Sequence, residues 1–260
     1  MLNELNIINT ESTSNLNGNL LNKHKQLYFG VDSKTPATDL LQNNLNMFEW
    51  VSRNKVYPIF WGRYITGKNS LTQEEAEFFH NKKCKIALIG TSPEPKISEE
   101  DGRKFATKVL SIVSKLNVPS KTVIFLEFAD NEALSKNYMR GYAIELLVKG
   151  YIPGFKANTD SVCCFNREFC RGLQKEPWLF QQCAIWAVAP TLDEYNEATD
   201  SHILHPNYWK PYAPSGITRN EIAIWQYGKN CHRIFDDNDI ETSFNVNITQ
   251  NNLSILEKLF

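Results

Sequence analysis

Residues 121–130 read KTVIFLEFAD. Val123, Ile124, Phe125 and Leu126 follow one another without a polar break, the pattern of a strand buried on both faces of a parallel sheet. Glu127 then interrupts the apolar run ahead of Phe128, with Asp130 beyond. A carboxylate against a core is costly unless it is paired, solvated or used in chemistry. The stretch therefore raises the fold question and the site question together.

Similar runs recur on both sides of it. LYFGVD (27–32), YPIFWGRYI (57–65) and KIALIGT (85–91) come before; YIPGFKANTD (151–160), CAIWAVAP (183–190) and EIAIWQYG (221–228) come after, and a last strand is expected within 238–248. Helical patterns lie between them. Thr38 is placed to cap a helix carrying Leu41, Leu45 and Phe48, Thr72 and Glu75 to form a capping box, and Ser98 to cap a helix with Phe105, Val109, Ile112 and Leu116 on one face. Gly150 suits the end of the fourth helix, a shorter helix is expected over 164–175, and NLSILEKLF reads as a closing helix. Strand starts recur about every thirty residues, the length of one βα unit. Seven or eight such units in 260 residues predict an α/β fold, a (β/α)8-type TIM barrel, in preference to an open sheet. Its last strands are expected to lack full-length helices, a loop over 191–220 standing in their place. No G-x-G-x-x-G follows the first strand, which argues against a dinucleotide fold. The chain divides into a polar, Asn-rich N-terminal arm (1–26) and a barrel domain (27–260). An ordered arm needs the barrel or a second chain to lie on, which gives a route to self-association.

Composition narrows the function classes. A net charge of −1 provides no global field for nucleic acid or a membrane surface, and no apolar run reaches the ~20 residues that span a bilayer. The first residues show no basic region followed by an apolar one, so no standard secretory signal is read. The expectation is a cytoplasmic protein or one released by a non-Sec route. The six cysteines lack the paired C-x2-C spacing of a structural zinc site and read as free thiols. His202 and His205, three apart and near Asp200, have no third ligand fixed by spacing. No metal or cofactor is expected.

In a barrel of this kind, reactive residues stand at the C-terminal ends of strands. The candidates are Asp32, Arg63, Tyr64, Thr91, Ser92, Glu127, Asp130, Asn158, Asp160, Trp186, Trp225, Gln226 and Tyr227. Two carboxylates in one aromatic-lined mouth suit glycoside cleavage: one protonates the leaving oxygen, the other acts as base or nucleophile. Trp61, Trp186, Trp209 and Trp225 offer faces for sugar rings. Simpler readings stand beside these. Glu127 can form a structural ion pair with Arg63, Asp32 can cap the loop after the first strand, and the tryptophans can be core.

Several of these segments resemble a known family. GVDSKTP at 30–36 resembles the G-[IVF]-D-x-S/T opening of the Chalaropsis-type lysozymes (N-acetylmuramidases) and of related bacterial glycoside-hydrolase-like TIM-barrel domains of unknown function. YIPGFKAN is similar to their G-Y-x-x-G-[VI]-Y strand, with Gly150, Tyr151 and Gly154 matching. AIWQYG is similar to their W-Q-Y strand, and SFNVN falls where they carry x-V-D-x-N. The resemblance covers most of 27–248 in order. It implies Asp32 as the family's first acid and Glu127 as the Glu of its D-x-E pair. Phe125 replaces the Asp of that pair and Asn245 the late Asp; Asp130 stands in one turn later if the register slips, and Asp160 is a further candidate acid. Two functions follow as expectations. In the first, the barrel acts on or binds a cell-wall polysaccharide such as peptidoglycan. Glu127 would be the general acid and Asp32 the second carboxylate, with Arg63, Tyr64, Trp61, Trp186, Trp225, Gln226, Tyr227 and Asn245 contacting substrate. In the second, a catalytically inactive barrel serves as a binding, structural, self-assembling or effector protein.

Overall fold

The structure, a computed structural model, describes residues 26–53, 57–93, 95–129, 133–192, 209–231, 242–250 and 254–260. Residues 1–25 of the N-terminal arm lie outside the described residues, as do Asp130, His202 and His205.

Eight strands close into a barrel in chain order: β1 (Leu27–Ser33), β2 (Phe60–Tyr64), β3 (Lys85–Gly90), β4 (Val123–Glu127), β5 (Ile152–Asn158), β6 (Ala184–Leu192), β7 (Ile222–Cys231) and β8 (Phe244–Gln250). The barrel reading holds, with one correction. Strands β1 to β7 run parallel, but β8 is antiparallel to both of its neighbours, β7 and β1. A parallel pair needs a crossover, usually a helix, whereas an antiparallel pair can be joined directly. The last strand takes the antiparallel arrangement.

Among the described residues the α-helices are α1 (Met47–Val51), α2 (Gln73–Asn81), α3 (Glu99–Lys115), α4 (Lys136–Val148), α5 (Cys164–Lys175) and α6 (Pro177–Phe180). The first is shorter and later than the apolar spacing predicts. Asn44 takes a left-handed conformation (φ 61°), and Asn46 forms a complete capping box with Glu49, so the helix starts there and not at Thr38. Thr72 does cap α2, its hydroxyl accepting from the Glu75 amide. Glu75 does not return the bond: its carboxylate is engaged by Arg63 and the Ala37 amide. Ser98 caps α3 as expected, and Gly150 ends α4 with φ 80°. The closing helix is a single 3-10 turn, Ile255–Lys258.

Strand alternation divides the apolar residues between two layers. Trp61, Leu88, Ile124, Leu126 and Phe155 face outward and pack with helix residues such as Phe105, Val109, Tyr142 and Phe169. Phe60, Ile89, Val123, Phe125, Trp186 and Ile224 fill the barrel, and Ile255 and Leu259 close its floor. Each fully buried side chain of this size contributes roughly 1.5–3 kcal/mol. All six cysteines are free thiols. No described helix is long and apolar enough to cross a membrane.

Candidate functional site

The alternation that turns Val123 and Phe125 into the barrel carries Glu127, two residues on, to its C-terminal mouth. There a pocket of about 350 Å³ is lined by Lys34, Tyr64, Thr91, Ser92, Glu127, Phe128, Asn158, Gln226, Lys229, Asn230 and Asn245, among others. Strand ends therefore supply the mouth, as barrel geometry requires.

At the base of this pocket lies a buried polar network centred on Lys156. This residue sits on β5 in register with Glu127 on β4 and with Trp186 on β6. Its Nζ donates to Asp32 Oδ2 at 2.7 Å and lies 3.1 Å from Glu127 Oε1. The ammonium also stands 4.8 Å above the Trp186 ring, within cation–π range. Asp32 is fully buried and accepts two further bonds, from Asn245 Nδ2 and Asn247 Nδ2, both at 2.8 Å. Asn247 Oδ1 in turn accepts from Trp186 Nε1 at 2.9 Å. Glu127 Oε1 accepts from the Tyr64 hydroxyl at 3.0 Å, and the Glu127 side chain keeps 24% of its surface exposed.

Electrostatics follow from this packing. Burial alone would lower the Lys156 pKa, but Asp32 and then Glu127 outweigh it and hold the ammonium well above its ordinary value. Burial pushes the Tyr64 hydroxyl up despite the opposing pull of Lys156, so Tyr64 remains a donor to Glu127. The nearest oxygens of Asp32 and Glu127 are no further apart than their two distances to Lys156 Nζ laid end to end.

Phe125 occupies the layer below Glu127. It is fully buried and meets Trp186 edge-on at 5.2 Å. Its ring uses the space left by Gly154, its register partner on β5, where an added Cβ would come within 2.6 Å of Phe125 Cδ1. Asn245 donates its amide to Asp32 and accepts from the Asn230 backbone.

Among the other expected site residues, Tyr64, Gln226 and Asn245 line the mouth. Arg63 does not. Alternation on β2 sends it outward with Trp61, where it is fully buried and forms a salt bridge to Glu75 on α2 at 2.7 Å while donating to the carbonyls of Ser33 and Asn69. The proposed Arg63–Glu127 pair is thus replaced by Lys156–Glu127. Trp61, Trp186 and Trp225 have no exposed surface. They stack on Phe48, lie inside the barrel, and donate to the Ala189 carbonyl, respectively. Tyr227 is buried against Trp225. None of these four offers a platform to a sugar. Asp160 folds back on its own turn, accepting from the Val162 amide and the Ser161 hydroxyl. Lys156 and Asn247 are the residues that sequence reasoning missed. The signal was present in Lys156: one cation inside an otherwise apolar buried strand needs a buried anion.

No family model matches the chain, and no curated protein matches it. Solved structures do. An uncharacterised protein of B. stearothermophilus superposes with a TM-score of 0.70 at 22% identity, over 90% of this chain and 100% of that one. The catalytic domain of the endolysin ply40, from a bacteriophage of Listeria monocytogenes, gives 0.51 at 13% identity, over 89% and 96%. A family GH25 lysozyme from Aspergillus fumigatus gives 0.51 at 11%, over 89% and 98%. At these identities the likeness is one of fold: the chain shares its barrel architecture with a lysozyme and with an endolysin catalytic domain.

Proposed function

We propose that the barrel mouth binds a cell-wall glycan of the peptidoglycan type and that the site holds this ligand without rapidly cleaving it. The observation that carries the reading is the Lys156 ammonium between the two acids. A double displacement needs a sugar carbon between nucleophile and acid, and here that space belongs to Lys156 Nζ. Asp32, fully buried and holding three donors, has no free face to present to a sugar. The hydroxyl- and amide-rich lining of the pocket suits a polyhydroxylated ligand, and the lysozyme and endolysin folds that resemble this one make a wall glycan the first to test.

The test pairs sedimentation with insoluble peptidoglycan and an assay for released reducing ends. Wild type should sediment with the polymer and release none above background, and Glu127→Gln should weaken sedimentation several-fold. Release of reducing ends by wild type, abolished in Glu127→Gln, would overturn the holding reading in favour of hydrolysis. That second reading has one observation behind it: a partly exposed Glu127 that shares the Lys156 ammonium with Asp32.

A further inference from the structure

The polar network at the mouth leaves one acceptor over. Gln226, on β7, is 2% exposed and lines the pocket, and its Oε1 is buried with no hydrogen-bond partner among the described residues. Its register partner on β8 is Asn247, so it stands beside a network in which Asp32, Asn245, Asn247 and Glu127 are all engaged. A buried, unsatisfied acceptor is unusual in a folded protein and calls for an explanation. We infer that Gln226 Oε1 is the specificity-determining acceptor of the mouth and receives a hydroxyl O–H or an acetamido N–H borne on a sugar ring, the outward face of Glu127 taking a second donor from the same ligand. The inference rests on the glycan-binding reading and adds to it the atom that recognises the ligand and the hydrogen-bonding class that the ligand presents.

The energetic asymmetry of hydrogen bonds makes this testable. Replacing an unsatisfied buried polar group by an apolar one of similar shape is neutral or stabilising in the free protein, while removing it from a complex leaves the ligand's donor unpaired. Gln226→Met should therefore melt at the same temperature as wild type or higher. It should bind soluble peptidoglycan fragments and the N-acetylglucosamine tetramer roughly tenfold more weakly in titration calorimetry. Gln226→Asn, which keeps the amide but draws the acceptor back by one methylene, should lose affinity as well. Equal affinity in wild type and Gln226→Met would overturn the inference while leaving the glycan reading in place. So would a lowered melting temperature with affinity unchanged, which would mean that Oε1 serves the free protein through a bound water. Failure of wild type to bind either probe would remove the glycan reading itself, and this inference with it.

Discussion

Lys156 is one cation serving two acids, and its loss should be felt beyond the mouth. In Lys156→Met, Asp32 stays buried with two asparagine amides and no counter-charge, and breaking a buried pair in this way costs about 3–5 kcal/mol. Urea denaturation should show that loss, and the double variant Lys156→Met/Asp32→Asn should recover a large part of it, since the orphaned charge is then gone. Arg63→Met should cost a similar ~3–5 kcal/mol through Glu75, yet leave glycan affinity within about twofold of wild type, because Arg63 works on the outer face. Affinity falling in step with stability would return Arg63 to the mouth. At this scale the sequence was half legible. Asp32 and Glu127 declare themselves as acids at strand ends. The buried tryptophans and Arg63 do not, because adjacent strand residues point opposite ways and a one-residue error in assigning the inward face exchanges Arg63 for Tyr64. Lys156 could have been found by asking of a buried lysine the question asked of Glu127.

Helices were most legible where a cap fixed their start. Ser98 and the long apolar face behind it gave α3 nearly its full length, and Ser98→Ala should cost ~1 kcal/mol in thermal or urea unfolding. The first helix was misread because Leu41 and Leu45 have helical spacing but flank a tight turn that holds the left-handed Asn44; local asparagine geometry overrode the apolar pattern. The direction of β8 was not legible at all, since an apolar strand carries no mark of whether its neighbours run with it or against it. Helix α4 packs on α3 at Gly141, where a Cβ would run into the Glu99 backbone carbonyl. Backbone cannot yield as a side-chain tip can, so Gly141→Ala should destabilise by about 1–3 kcal/mol, read as a lowered urea midpoint. A neutral result would mean that the two helices can move apart.

For the molecule as a whole, stability should fall with alkali, and the sign follows from the buried titratable groups. Burial raises the thiols of Cys84 and Cys183, and burial followed by the Asp32 charge pushes Cys231 up to about 12. In the unfolded chain these thiols ionise near ~8.5, so that state loses protons first. Their contribution is intact below about pH 8.5 and declines as pH rises toward the folded values. Tyr64 and Lys156, also raised, steepen the loss above ~10. Melting temperature should drop progressively from pH 8 to 10.5, and Cys231→Ala should show a shallower drop. An unchanged slope would place Cys231 outside the cause. The closed ring of strands has a further consequence, for how the protein is made. Asp32 receives Lys156 from 124 positions downstream and Asn247 from 215 downstream. At about 5–20 residues per second, the ribosome delivers the last of these partners on the order of tens of seconds after the first strand. For that interval β1 is an open edge carrying an incompletely matched charge, and it is on the nascent chain, before β8 arrives, that this barrel is most exposed to pairing with the wrong strand.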